Sequence, residues 1–183
     1  MNEKTRRKMQ SVTVSLRSWQ NWLMNSSSDE DELYGMHAQG VIWWEDDTFV
    51  LYYLDAEQSQ LNSATTTIRI SPTMTTIRRE GKINSFMPLE LGKKHDCYYQ
   101  TVFGSIKIGV NATKLDYEIE ENGDGSLRAS YIVDMNDIAQ TKNRLSLEWE
   151  TSPTLEDPES LLNFLDRDRR EQSFSEVISN RKV

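Results

Sequence analysis

From Val12 to Trp149 the chain alternates apolar and polar side chains with a period of two, segment after segment. Successive side chains of a strand point to opposite faces. Leu145, Leu147 and Trp149, set against Arg144, Ser146, Glu148 and Glu150, therefore describe one buried face and one wet face. The pattern predicts strands over residues 10–19, 33–44, 48–57, 65–71, 74–80, 82–91, 94–103, 105–112 (continuing through Leu115, Tyr117 and Ile119), 127–135 and 143–150. The aromatic residues Trp43, Trp44, Tyr52 and Tyr53 favour strand over helix around a hairpin at Glu45, Asp46 and Asp47. Pro72, Gly81, Gly92 and Gly104 punctuate the middle of the chain, with Gly81 and Gly104 expected at positive φ. The Asn122-Gly123 and Asp124-Gly125 pairs predict a polar turn over 120–126. About ten short, regularly spaced strands imply an all-β fold, a single antiparallel barrel or sandwich, and closure into a barrel removes the edges that so many strands would expose.

The rhythm changes after Thr151. Asp157-Pro158-Glu159 is a helix start, with a capping carboxylate, proline at the first helical position and an acid in the first turn. Leu161, Leu162 and Leu165 make a short apolar stripe within an expected helix over 157–171, and Phe174, Val177 and Ile178 a weaker second one. Three regions follow: a basic tail over 1–9, a barrel over 10–150 and a helical extension over 151–183, for which docking on its own chain or on a twin subunit is favoured over a mobile tail.

A chain of 183 residues with 37% hydrophobic content can bury a sizeable core within one domain. No apolar run approaches the length of a membrane span, and no apolar stretch follows the basic N-terminus as in a secretory signal, so the expected compartment is the cytoplasm. The single cysteine, Cys97, fits a reducing compartment and reads as a solvated or half-buried thiol rather than a nucleophile. His37 and His95 lie far apart without ligand spacing, so neither a metal nor a cofactor is expected.

The net charge of −8 is unevenly spread. Between Arg17 and Arg69 there is no Lys or Arg, while Asp29, Glu30, Asp31, Glu32, Glu45, Asp46, Asp47, Asp55 and Glu57 fall in that stretch, which would repel nucleic acid. From Arg69 to Lys114 basic residues dominate. Pairing of the two blocks across neighbouring strands or between subunits explains them more simply than a nucleic-acid patch.

The stretches TTTIRIS, TTIRREGKINSFMPLELGKKHDCYYQTVFGSIKIGVNATKLDY and GSLRASYIVD resemble the YwiB-like family of uncharacterised bacterial proteins, small barrels of the calycin (lipocalin-like) type. The likeness spans residues 12–150. Its most specific parts are the turn at Arg79 and Gly81, the Gly92-Lys93 pair, and the Tyr-x-Thr-x-Phe-Gly element from Tyr99 to Gly104. Val102 stands where members often carry proline. The resemblance implies a calycin-like barrel of about eight to ten strands and carries no established activity.

Two functional classes stay open. In the first, the barrel holds a small amphipathic or apolar ligand. Its candidate residues are the polar and aromatic groups embedded in strands: Tyr53, Glu57, Arg69, Arg78, Tyr99 and Tyr117. Were Arg78 or Arg69 to point inward, its charge would need a buried acid, with Glu57 the candidate, or an anionic ligand such as a fatty acid. In the second class the chain is a non-catalytic interaction or homodimeric module using its charged faces and its tail. No Ser/His/Asp set, phosphate loop or metal cluster is readable, so an enzyme is not expected, and Asp55 and Glu57 read as strand-end solvation.

Overall fold

The computed structural model describes residues 9–22, 32–55, 64–81, 84–101, 104–135, 139–152 and 157–167. Ten strands alternate up and down: β1 (Gln10–Trp22), β2 (Glu32–Glu45), β3 (Thr48–Asp55), β4 (Ala64–Ile70), β5 (Thr75–Glu80), β6 (Asn84–Leu89), β7 (Lys94–Thr101), β8 (Gly104–Ile119), β9 (Gly125–Met135) and β10 (Ala139–Thr151). Each pairs antiparallel with its sequence neighbours, and β1 closes the barrel by pairing with β10 on one side and β2 on the other. The expected strands are all present. The largest extensions are β1, which runs three residues further to Trp22, and β10, which begins at Ala139.

Closure gives the barrel two ends. At one, the turns between β2 and β3, β4 and β5, β6 and β7, and β8 and β9 are all described; the other, termed the open end, is defined by the ends of the described strands, the residues 23–31, 56–63, 82–83, 102–103 and 136–138 being outside the described residues. The first end is filled by the main core. Trp149 is 1% exposed and stacks on Phe49 at 5.3 Å, above Ile42, Leu51, Ile68, Ile70, Leu127 and Leu147. Each fully buried side chain of this size contributes about 1.5–3 kcal/mol relative to exposure.

The 120–124 turn plugs this end. The Trp149 indole N–H donates to the Gly123 carbonyl at 2.9 Å, and Asp124 Oδ1 accepts from the Thr151 backbone N–H at 2.6 Å and hydroxyl at 2.7 Å. Gly123 has φ 99°, and a Cβ there would come within 2.6 Å of Gln10 Oε1, so a larger residue meets both backbone strain and a clash. Gly104 has the expected positive φ, 124°. Gly81 does not; the positive-φ glycines among the described residues are Gly92, Gly104 and Gly123, and the bend at Gly81 is held instead by its N–H donating to Asn84 Oδ1 at 3.0 Å.

Among the described residues one helix, α1 (158–167), follows the barrel, and the expected cap is in place: Asp157 Oδ2 accepts from the Ser160 N–H at 3.2 Å. The helix docks on its own chain. Leu161 and Leu165 are buried against Val41 and Tyr52 on the outer face of β2 and β3, and the Tyr52 hydroxyl donates to Asp166 at 3.2 Å. The second expected stripe, Phe174 to Ile178, lies outside the described residues.

Candidate functional site

The inward face changes character from one end of the barrel to the other. Partners in an antiparallel ladder share a face, so the inward series can be read off the register. Along β10 it runs Trp149, Leu147, Leu145, Asn143, Thr141; along β1, Val12, Val14, Leu16, Ser18, Gln20. On β3 it runs Phe49, Leu51, Tyr53, Asp55; on β4, Ile70, Ile68, Thr66; on β5, Thr75, Ile77, Arg79. On β10, β1, β3 and β4 apolar side chains at the plugged end give way to polar ones at the other end, and β5 ends there on Arg79, whereas β8 and β9 stay apolar at that end with Ile106, Ile108, Val133 and Met135.

A cavity of about 260 Å³ occupies one side of this open end. Met87, Ile106, Ile108, Val133 and Met135 supply its apolar wall, and Gln20, Tyr99, Tyr131, Thr141 and Asn143 its polar groups. Burial holds the Tyr131 hydroxyl well above the ordinary phenol range, reinforced by Tyr99 beside it, so it stays protonated at neutral pH. The Asn143 carboxamide donates to the Thr141 carbonyl at 3.2 Å and hydroxyl at 3.0 Å.

The opposite side, formed by β2 to β5, carries a charged pair. The Arg79 guanidinium lies 3.1 Å from Asp55 Oδ2, with side chains 29% and 11% exposed, and the Tyr34 hydroxyl donates to Asp55 Oδ1 at 3.3 Å. Tyr53, next to them, is buried and hydrogen-bonded to Thr66. Burial raises its hydroxyl far above the usual phenol value, and the Asp55 charge adds to the effect.

The candidate residues divide accordingly. Tyr53 and Tyr99 face the interior. Tyr117 is half-exposed on the stretch of β8 beyond Asn111, which has no β7 partner. Arg69 and Arg78 are on the outer face, where Arg69 pairs with Glu45 and Arg78 with Glu80 at 3.1 Å. Neither can hold a ligand head group inside the barrel, because both sit at the wrong parity. Arg79, one residue along, is the inward arginine, and its acid is Asp55. Glu57 lies outside the described residues. Asp55 is 8% exposed, so its reading as strand-end solvation is corrected. Cys97 is likewise 5% exposed rather than half-buried, and burial pushes its thiol up, away from nucleophilic chemistry. Among the described residues, no three His, Cys, Asp or Glu side chains come together as a metal site would need, and no helix is long and apolar enough to cross a membrane.

The acidic and basic blocks meet across strands, in Arg69–Glu45 and Arg79–Asp55. Burial would raise the Glu45 carboxyl, but hydrogen bonds from Arg69 and Trp43 outweigh it and hold that group below the usual carboxylate range. Further pairs, Lys94–Asp134 at 2.9 Å and Lys107–Asp96 at 2.8 Å, lie on the outer face.

The molecule is thus a closed ten-stranded antiparallel barrel, plugged at one end and polar at the other. The chain belongs to the family described as a domain of unknown function (DUF1934), whose profile matches residues 23–147. Among solved structures it is similar to the ywiB protein from Bacillus subtilis, with a TM-score of 0.66 and 14% identity over 79% of this chain and 93% of that one. The YwiB-like expectation therefore holds for family and fold. No curated protein matches the sequence.

Proposed function

We propose that this barrel binds a small molecule at its open end, in the manner of calycin-like carriers. The observation that supports the reading is a cavity of about 260 Å³ at the end away from the plug, where polar side chains of Gln20, Tyr99, Tyr131, Thr141 and Asn143 face an apolar wall instead of completing a core. Ligand cavities usually measure about 300–1,000 Å³, so this one suits a compact compound of one or two fused rings rather than a long acyl chain. A fatty acid anchored at Arg69 or Arg78 has no support, since both arginines are outside. The lone buried thiol of Cys97 is in keeping with a cytoplasmic setting.

Homodimeric assembly has less behind it. Part of the surface it would use is engaged within the chain: Glu45 by Arg69, Asp55 by Arg79, and Leu161 and Leu165 by β2 and β3. The test uses indole and isothermal titration calorimetry. Wild-type protein should bind indole with submillimolar affinity, and Ile106→Trp should abolish binding without unfolding the protein, because Ile106 lines the cavity yet is 46% exposed. Equal binding by both proteins, or by neither, contradicts the reading.

A further inference from the structure

We infer that the open end selects a neutral ligand bearing an amide or lactam group on a compact apolar body, and discriminates against carboxylates and hydrocarbons of the same shape. The inference rests on the mouth being a binding site and adds what that site recognises. Its polar lining is uncharged: two carboxamides, two phenols and one hydroxyl. The Tyr131 hydroxyl, protonated at neutral pH as an ordinary phenol is, is a donor with no partner among the described residues, and the Gln20 carboxamide has none there either. Asn143 directs its N–H groups at Thr141, which leaves its carbonyl oxygen as an acceptor. A donor and an acceptor facing an apolar wall of Ile106, Ile108 and Val133 match an amide, which carries one of each on a planar frame.

A carboxylate offers acceptors only and brings a charge. The inward cation across the mouth, Arg79, is already matched by Asp55, so a bound carboxylate would be poorly compensated. A hydrocarbon would fill the volume and leave the polar groups dehydrated and unpaired.

Benzamide, benzoate and toluene have nearly the same shape and separate these cases. Calorimetric titration of the intact protein should show benzamide binding at least about tenfold more tightly than the other two, the factor expected for one or two buried hydrogen bonds. Tyr131→Phe should weaken benzamide by about tenfold and leave toluene unchanged. Should Tyr131→Phe fold poorly, Gln20→Met provides the same comparison. Benzoate or toluene matching benzamide overturns the selectivity while leaving the mouth a binding site. Failure of all three, with indole still bound, also overturns it; failure of indole as well removes the site itself.

Discussion

The two ends of the barrel are built from the same ten strands by the same alternation, yet one is a core and the other a lined opening. At the plugged end the inward positions are large and apolar, and the one turn folded beneath them supplies hydrogen bonds for Trp149 and Thr151. At the open end inward positions carry hydroxyls, carboxamides and a charged pair. An apolar filling would stabilise the open end more, because a buried ion pair is often no better than a well-packed hydrophobic replacement. The difference separates a packed core from a partly polar end, although a hollow of about 390 Å³ also lies beside the plug, between Gln10, Trp44 and Gly123.

The largest effect should come from the plugged end. Trp149→Ala removes a fully buried ring, its stacking on Phe49 and its bond to Gly123. It should cost about 3–5 kcal/mol in urea unfolding. A loss below about 1 kcal/mol would mean that this end is not the core. Second is Asp55→Ala at the open end, which removes the acid beside the part-buried Arg79. The expected cost is about 2 kcal/mol, less than for a fully buried pair because the arginine is 29% exposed. Asp55→Ala should also leave indole binding nearly intact, since the pair lies outside the cavity lining.

The plug should show itself through pH. Hydrogen bonds from the Thr151 backbone and hydroxyl, then from Asn122, hold the Asp124 carboxyl below the ordinary aspartate range. A group whose pKa is depressed on folding contributes stability above its unfolded pKa, about 3.9, and loses that contribution as pH falls through the folded value. Asp124→Asn should therefore be less stable than wild type by about 1 kcal/mol at pH 7, a low figure because the carboxylate is partly solvated. The gap should close as the solution is acidified below pH 4 or so. A gap that persists unchanged there would show that the carboxylate charge is not what matters. The smallest effect belongs to the outer face: Arg78→Met should change stability by less than about 0.5 kcal/mol, with indole affinity unaltered.

The fold was legible because strand periodicity is a local property. Leu145, Leu147 and Trp149 announce their face without reference to any other strand. The helix cap at Asp157 and the turn around Gly123 were equally local. The site was only half legible, for a reason of parity. The sequence left open whether Arg69 or Arg78 points inward with Glu57 as its acid; in the run Ile77-Arg78-Arg79-Glu80 adjacent arginines face opposite ways, so a one-residue choice exchanges inside for outside. Ile68 and Ile77, paired and inward, mark the parity that puts Arg79 inside; the sequence held that signal, though it became decisive only once the register was known. The cavity residues Tyr131, Thr141 and Asn143 come from the neighbouring strands β9 and β10, but Gln20 is on β1, which joins β10 only on closure, so no local spacing brings it to them.

The division between a plugged core and a recognising mouth is tested most directly by a benzamide titration followed residue by residue in two-dimensional nitrogen-15 NMR spectra. Chemical shifts should move in a saturable way around Gln20, Tyr99, Tyr131 and Asn143, while the Trp149 indole and Gly123 signals at the other end stay in place. Shifts centred on Trp149 and Gly123, or none that saturate at the mouth, would contradict the division.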